Sequence, residues 1–197
     1  AVTDVDTGIA NLQATVMDFM TYFNAMTEDR RANPRQDLAS VIANGQIDGK
    51  PLGHLEAMSY YIIAATAGHD TTSSTTAGAM WALAENPDQF RKLKDNPGLI
   101  PGLVEESIRW ETPVKHFMRT ATADAELAGR KIAKGDWLML SYPSGNRDEE
   151  VFENPFEFDV TRASNKHVAF GYGAHVCLGQ HLARMEMRIL WEELLPR

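Results

Sequence analysis

The residues best suited to chemistry lie in one short run, 170–179, which contains Cys177, the only cysteine of the 197-residue chain. Gly171 and Gly173 precede this cysteine and permit a tight loop whose backbone can approach a flat ligand. An amphipathic helix follows, and a thiolate is favoured at a helix N-terminus because free amides and the helix dipole face it. A buried structural cysteine is the alternative. The glycines, an aromatic residue and a helix start together favour a metal-bound thiolate.

A single thiolate restricts the metal that this run can bind. Zinc sites use three or four protein ligands at short spacings. Haem iron needs one axial protein ligand and leaves its opposite face open. We therefore predict haem b with an axial thiolate from Cys177. We expect Phe170 to shield one flank of the sulfur from water and Gly179 to let backbone amides approach it.

The run resembles a known haem-binding loop. Its pattern F-x-x-G-x-x-x-C-x-G, formed by Phe170, Gly173, Cys177 and Gly179, is similar to that of the cytochrome P-450 family of haem-thiolate monooxygenases. Three further motifs occur in the order and at the spacing typical of that family. The resemblance covers nearly the whole chain and implies the C-terminal half of a bacterial member, closest to the terpene-alcohol hydroxylases. An N-terminal half and a short C-terminal tail are expected outside this sequence.

The second motif, residues 67–72, lies within a long stretch of apolar and small residues from about 55 to 83. A membrane span is the alternative, but a histidine and an aspartate at its centre would be costly in lipid. Gly68 and hydroxyl side chains that bond back to the backbone predict a helix that loosens into a groove. The resemblance implies that this helix crosses the oxygen-binding face of the haem, with Asp70 linked to proton delivery and Thr71 as the alcohol beside the bound oxygen.

The third motif places Glu106 and Arg109 three residues apart, so that both lie on one helix face. It resembles the family's E-x-x-R motif, whose buried ion pair braces the core below the haem. The resemblance therefore implies a structural role for these two residues. Many bacterial members complete this brace with an arginine where the present chain has Glu157, and Arg162 is the nearest basic candidate.

The fourth motif, residues 114–120, alternates in polarity and is followed by turn residues, which is typical of short strands and hairpins. It resembles the family segment that runs past the haem edge. The resemblance implies that Arg119 pairs with a haem propionate, with His175 as the second candidate and His116 as the third. The remaining predicted haem contacts are Ala67 and Gly171, and the predicted substrate-pocket residues are Ile63, Thr66, Val114 and Phe117.

Composition agrees with one globular domain: 44% of the residues are hydrophobic, and the net charge of -8 argues against nucleic acid as a partner. One cysteine excludes an internal disulfide, so nothing demands an oxidising compartment. Neither a signal peptide nor a clean membrane span is evident in the sequence. We expect a cytoplasmic bacterial protein without membrane contact.

Helix dominates the predicted elements, so the predicted fold class is mainly α with a small β region, as in the C-terminal half of the cytochrome P-450 fold. The predicted helices cover about 8–31, 37–43, 55–83, 87–94 and 103–110, with a final helix after the cysteine. Turn signals predict a hairpin near Asp48 and Gly49. Short strands are expected between 116 and 141, followed by a meander over 142–166. We predict a single partial domain over residues 1–197.

The resemblance implies a monooxygenase that activates O2 to hydroxylate a small apolar substrate, with a monoterpenoid favoured. Electrons must come from a partner, and a ferredoxin-type donor is expected because the chain shows no flavin or iron–sulfur motif. Lys166, Arg184 and Arg188 are candidates for its basic docking face. One alternative is a haem-thiolate peroxygenase or isomerase, which would not need Asp70 and Thr71. Another is a haem-binding chain without turnover.

Overall fold

A computed structural model describes residues 5–197, with side chains described from Thr7 onward. The chain divides into two compact units, one ending at His69 and the other running from Asp70 to Arg197. The division falls inside a continuous helix, so the single partial domain over 1–197 stays a prediction. None of the helices in residues 5–197 is both long and apolar enough to span a bilayer.

The first unit consists of helices and one small hairpin. Its elements are α1 (Val5–Ala32), α2 (Leu38–Ala43), β1 (Gln46–Ile47), β2 (Lys50–Pro51) and the first part of α3 (His54–Glu85). Asp37 caps α2 by accepting a hydrogen bond from the Ser40 amide at 2.7 Å. Asp48 and Gly49 turn the hairpin with φ of 51° and 75°, the left-handed conformation that an Asp-Gly turn supplies. Both predicted helices and the predicted hairpin are confirmed.

The core of the first unit is aromatic. The Phe23 and Tyr61 rings stack with centroids 4.9 Å apart. Around them pack Ile42, Leu52, Ala57 and Met58. The Tyr61 hydroxyl donates to the Ala39 carbonyl at 2.9 Å, so its polar end is satisfied although the ring is buried.

The second unit contains the rest of α3 and the remaining elements. These are α4 (Pro87–Asp95), α5 (Ile100–Glu111), β3 (His116–Thr120), β4 (Ala125–Leu127), β5 (Arg130–Ile132), β6 (Trp137–Ser141), α6 (Tyr142–Gly145) and α7 (Gln180–Leu194). Strands β3 and β6 pair antiparallel, as do β4 and β5. A mainly α fold with a small β region is thus confirmed. Of the predicted meander, residues 142–145 form α6 and residues 146–166 contain turns and irregular backbone.

Helix α3 is helical without interruption from His54 to Glu85, so the loosening predicted around Gly68 does not break it, and the predicted groove stays a prediction. The hydroxyls do bond back to the backbone: Thr75 Oγ1 donates to the Thr71 carbonyl at 2.7 Å, and Thr76 Oγ1 to the Thr72 carbonyl at 2.9 Å. A carbonyl has two lone pairs, so it can accept such a bond in addition to its helical one.

The core of the second unit lies between α5 and α7. Leu103 and Ile108 of α5 and Met187 and Trp191 of α7 are buried together. At Gly102 a Cβ atom would collide with the Val160 carbonyl oxygen, so a glycine is needed for the backbone after residue 158 to approach α5. Helix α5 is therefore clamped between α7 and the irregular segment 146–166.

Candidate functional site

The cysteine loop, residues 170–179, forms the predicted tight turn. Gly171 and Gly173 both have φ of 72°, which glycine adopts without a Cβ penalty. The Cys177 amide donates to the Phe170 carbonyl at 2.8 Å and closes the loop. Helix α7 begins three residues after the cysteine, with Gly179 at its N-cap position. A Cβ atom at Gly179 would lie 4.0 Å from Cys177 Sγ, which is ordinary van der Waals contact.

The surroundings of Cys177 fit a haem with one axial protein ligand. The thiol is exposed, and the side chain of Leu178 beside it is 95% exposed. In residues 5–197 no three His, Cys, Asp or Glu side chains gather into a group that could hold a metal ion by themselves. The site therefore offers a single sulfur donor with an apolar side chain beside it. One axial protein ligand is enough for haem iron, whereas a zinc site needs three or four.

The β3–β6 ribbon reaches the cysteine loop through Tyr142. The Phe117 and Tyr142 rings meet edge to face with centroids 6.1 Å apart. The Tyr142 hydroxyl lies 3.7 Å from the position that a Gly171 Cβ would take. Because side chains alternate along a strand, Phe117 and Arg119 share one face of β3 and His116 lies on the other.

The predicted propionate ligands are exposed. His175 ends a short 3-10 turn within the cysteine loop. Arg119 Nη1 donates to the carbonyl of its neighbour Met118 at 2.9 Å. Of the predicted haem contacts, the structure joins Phe170 directly to Cys177, while no hydrogen bond links His175 or Arg119 to Cys177 among the described residues. Val114 is half-buried and His116 is exposed.

The predicted residues on α3 are spaced three and four apart, which puts them on one face of that helix. In the first unit these are Ile63, Thr66 and Ala67, and all three are exposed. In the second unit Asp70 is exposed and Thr71 is half-buried. The roles predicted for these residues rest on the motif and are taken up under the proposed function.

The brace on α5 is fully buried. Glu106 and Arg109 have side chains with 0% exposure, and the Arg109 Nε and Nη2 atoms donate to the two carboxylate oxygens at 2.8 and 2.7 Å. Arg109 also donates to the carbonyls of Asn146, Pro155 and Glu157 at 2.9, 2.8 and 3.1 Å. Every N–H of this guanidinium therefore has an acceptor, which a buried charge requires.

Arg162 lies against the same carboxylate. Its Nε donates to Glu106 Oε2 at 3.0 Å, and Asn165 Nδ2 donates to that oxygen at 2.9 Å. Glu157, which stands where many bacterial family members carry the arginine, contributes its backbone carbonyl instead and accepts from Arg162 Nη2 at 2.9 Å. The geometry thus places Arg162 where the sequence reasoning looked for a partner to Glu106 and Arg109.

Several residues of this region were missed from the sequence. Asn146 is fully buried, accepts from the Val168 amide at 2.7 Å and donates to Thr112 Oγ1 at 2.8 Å. It thereby ties the approach to the cysteine loop to the end of α5. An asparagine before Arg147 and Asp148 carries no distinguishing sequence signal, since turn residues are usually exposed.

Glu105 is the other missed residue, and its carboxylate contacts both Arg184 and His167. Its carboxylate accepts from Arg184 Nε at 2.6 Å and lies 3.1 Å from His167 Nε2. Burial alone would raise the pKa of Glu105, but hydrogen bonds from His167 and Arg184, and the charge of Arg184, lower it from 4.5 to about 2. Arg184 is therefore paired within the fold, so its charge is partly neutralised by Glu105, and its predicted part in a basic docking face stays a prediction.

The lowered pKa of Glu105 predicts how stability depends on pH. Because the folded-state pKa is below the ordinary value of 4.5, the carboxylate stabilises the folded protein above about pH 4.5, and this is lost as the pH falls towards 2. We expect Glu105→Gln to lower the free energy of unfolding by about 1–2 kcal/mol at pH 6. The difference from the unsubstituted protein should shrink by pH 3, as measured by urea unfolding. Glu193→Gln, at an exposed α7 carboxylate, is the control, and a pH-independent difference would contradict the prediction.

The family model described as cytochrome P-450 matches residues 99–197. The curated sequence named cytochrome P-450-terp, from a Pseudomonas species, is 53% identical over 192 residues, covering 98% of this chain and 45% of that protein. Linalool 8-monooxygenase of Pseudomonas putida is 40% identical over 180 residues, covering 91% of this chain and 44% of that protein.

The fold is similar to solved structures as well. A Mycobacterium marinum cytochrome P-450 in complex with pseudoionone superposes with a TM-score of 0.90 at 38% identity, covering 96% of this chain and 46% of that one. The chain thus spans less than half the length of these relatives. The matches include both α3 and the cysteine loop, since they cover nearly all of this chain.

Proposed function

Because the chain belongs to the cytochrome P-450 family, we propose that it contributes the thiolate loop of a haem monooxygenase that hydroxylates a small apolar substrate. The observation that carries this proposal is the exposed Cys177 thiol on a loop with Gly171 and Gly173 at positive φ, closed by the bond from the Cys177 amide to the Phe170 carbonyl. That arrangement leaves the sulfur open on the side where a flat ligand would bind.

The residues around Cys177 divide the work of holding the haem. When bound, the haem with its thiolate supplies reductive activation of O2, which uses two electrons and two protons to put one oxygen atom into the substrate and release the other as water. Cys177 would provide the sulfur that binds the iron. Arg119 and His175, both exposed, would bind the propionates by charge-assisted hydrogen bonds. His116, on the opposite face of β3 from Arg119, is the weaker candidate for this contact.

Proton supply is assigned to α3. Asp70 is exposed and can exchange protons with solvent, while Thr71, the next residue of the helix, is half-buried. The Thr71 carbonyl already accepts from Thr75 Oγ1 at 2.7 Å, which helps to fix the backbone of this residue. We assign the carboxyl group to carry protons in from water and the Thr71 hydroxyl to pass them on and hold them at the reacting oxygen.

Thr71→Ala tests the proton assignment. In the full-length enzyme with substrate and electron donor, we expect product formed per O2 consumed to fall by about tenfold or more, because positioned proton transfer is worth about 10²–10⁴-fold. O2 consumption should continue, and the difference should appear as reduced oxygen species. An oxygen electrode combined with product quantification measures both.

The matched control for Thr71→Ala is Thr76→Ala. Thr76 is a half-buried threonine of α3 whose hydroxyl donates to the Thr72 carbonyl. Replacing it by alanine therefore removes a threonine hydroxyl from the same helix without touching the assigned proton route. We expect its coupling to match that of the unsubstituted enzyme. Unchanged coupling in Thr71→Ala would remove Thr71 from proton delivery.

The substrate class is proposed from two sources. The residues predicted to face the substrate are mostly apolar: Ile63 and Thr66 in the first unit, and Val114 and Phe117 in the second. One relative is named a linalool 8-monooxygenase, and linalool is a monoterpenoid alcohol. A small monoterpenoid is therefore the proposed substrate, and displacement of haem-bound water on titration with such compounds, read as a spectral shift, is the direct check.

A ferredoxin-type protein is the proposed electron donor. Lys166 and Arg188 remain as candidate docking residues, although Arg188 Nε lies 3.6 Å from Glu192 on the same helix. Arg184 stays a candidate as well, although its charge is partly neutralised by Glu105. A cytoplasmic location stays a prediction.

A haem-binding chain without turnover is the second candidate for this chain by itself. The observation that favours it is the exposure of large apolar side chains, including Tyr172 at 92% and Trp137 at 80%. Apolar surface of this extent is usually covered by further protein. A peroxygenase or isomerase is less favoured, because neither needs the acid and alcohol of α3, and the dependence of turnover on reductant would separate the two activities.

The experiment that tests the proposal is the carbon monoxide difference spectrum of the reduced, haem-loaded, full-length protein. A strongly red-shifted Soret band indicates thiolate ligation and supports the proposal. An unshifted band, or no haem incorporation, would overturn the assignment of Cys177 as ligand. The spectrum and NADH-driven turnover of residues 1–197 alone separate the monooxygenase from the second candidate. If the second candidate is right, this chain binds haem but shows no NADH-driven turnover with a donor system.

A further inference from the structure

Arg184 is held in one orientation by hydrogen bonds to Glu105 and to Gln180. Its Nε and Nη2 atoms donate to the two carboxylate oxygens of Glu105 at 2.6 and 3.0 Å, and its Nη1 donates to Gln180 Oε1 at 3.0 Å. The side chain is 30% exposed. A guanidinium fixed at both ends of its fork is a rigid plane, which a flexible surface arginine is not.

This plane lies on the ring of Phe170. The guanidinium carbon of Arg184 is 4.6 Å from the ring centroid of Phe170, a cation–π contact. His167 packs against the same ring with centroids 5.7 Å apart. The Phe170 ring thus contacts Arg184 of α7 and His167 of the segment before the loop. Both of those side chains also contact Glu105 of α5.

Phe170 is in turn hydrogen-bonded to the cysteine through its backbone. Its carbonyl accepts the Cys177 amide at 2.8 Å, the bond that closes the loop. Movement of Phe170 would release this bond, and Gly171 and Gly173 next to it would permit many other backbone conformations. The orientation of the sulfur therefore depends on how firmly Phe170 is held.

We propose that Arg184, fixed by Glu105, is a positioning residue that holds Phe170 and through its carbonyl sets the backbone of Cys177. The inference rests on the proposed function, in which the thiolate of Cys177 is the working group. Within residues 7–197, the hydrogen bonds and the ion pair of Arg184 go to Glu105 and Gln180, and its ring contact is with Phe170. Its role is to prepare the loop before any cofactor binds.

Hydrogen exchange in the haem-free, full-length protein tests this directly. We expect Arg184→Ala to speed exchange of the amides in 171–179 by about tenfold or more, because exchange reports the local opening of hydrogen-bonded segments. Glu105→Gln should produce a smaller increase in the same segment. Arg184→Lys should not restore protection, since an ammonium supplies the charge without the planar fork. Mass spectrometry of peptides spanning the loop measures all three variants.

The control is Arg188→Ala, one turn further along α7, where the side chain is 52% exposed and pairs only with Glu192 among the described residues. It should leave exchange of the loop unchanged. Loop exchange in Arg184→Ala equal to that of the unsubstituted protein would overturn the proposal, as would an equal increase in every segment or full rescue by Arg184→Lys.

The outcome is separable from that of the proposed function. The exchange experiment needs neither haem nor turnover, whereas the function is decided by the carbon monoxide spectrum of the unsubstituted protein. A thiolate spectrum with unchanged loop exchange in Arg184→Ala would leave the function standing and overturn the positioning role. Faster loop exchange in Arg184→Ala, without a thiolate spectrum in the unsubstituted protein, would leave the positioning role standing and overturn the proposed function.

Discussion

Cys177→Ser is expected to abolish the red-shifted Soret band of the reduced carbon monoxide complex and to reduce monooxygenase turnover to background. Serine matches cysteine in shape, but its hydroxyl does not ionise near neutral pH and is a poor donor to haem iron compared with a thiolate. The loop itself should survive, because the bond that closes it joins the residue 177 amide to the Phe170 carbonyl and uses no side-chain atom. The spectrum and product formation are both measured on the full-length protein.

Tyr172→Phe provides the control for this substitution. Tyr172 lies in the same loop with 92% exposure, and removing its hydroxyl disturbs neither the glycines nor the sulfur. Its spectrum should match that of the unsubstituted protein. A red-shifted band that persists in Cys177→Ser would show that a different group ligates the iron, and the assignment of the loop would then be wrong.

Arg109→Ala is expected to have the largest effect on stability, lowering the free energy of unfolding by about 3–5 kcal/mol. The change leaves the buried Glu106 carboxylate with Arg162 as its remaining cation. It also leaves the Asn146 and Pro155 carbonyls without the donor that Arg109 supplies, while the Glu157 carbonyl keeps its bond from Arg162. A loss of this size is a large fraction of the roughly 5–15 kcal/mol that holds a typical domain folded. Urea unfolding and the yield of folded protein with bound haem measure it.

Arg109→Lys sharpens this test, because it keeps the positive charge and removes the guanidinium fork. An ammonium has three donors, whereas Arg109 fills acceptors on Glu106, Asn146, Pro155 and Glu157. We therefore expect lysine to recover only part of the loss, leaving a deficit of about 2 kcal/mol or more. Arg188→Lys, at an exposed position on α7, should change stability by less than about 0.5 kcal/mol. A deficit near zero in Arg109→Lys would show that charge alone, and not geometry, is what this site requires.

Local sequence signals predicted the elements well where one short motif decides the structure. Pro87 at the first turn and two lysines in the last turn define α4, and Asp48-Gly49 defines the hairpin. Glu106 and Arg109 are three residues apart on one helix, so their pairing could be predicted from spacing alone. The tight turn at the glycines of the cysteine loop was also predictable, because glycine readily adopts the positive φ angles that such a turn needs.

Contacts between distant segments could not be predicted in this way. Glu105 and Arg184 are separated by 79 positions, and nothing in either local sequence indicates the other. Arg184 therefore looked like a surface charge. The same limit applies to the carbonyls to which Arg109 donates, because an irregular segment carries no periodicity to indicate which of its carbonyls point inward. At α3 the hydroxyl back-bonds were predictable from the threonines, and they coexist there with an uninterrupted helix.

The bonds from α5 to the segment 146–166 have a consequence for the order of folding. That segment has no ladder or helix of its own, and its carbonyls at Asn146, Pro155 and Glu157 and its amide at Asp159 are satisfied by two side chains of one helix. Helix α5 can form from local interactions, but the segment has no template until Glu106 and Arg109 are in place. It is therefore expected to become ordered late and cooperatively, after α5 has formed.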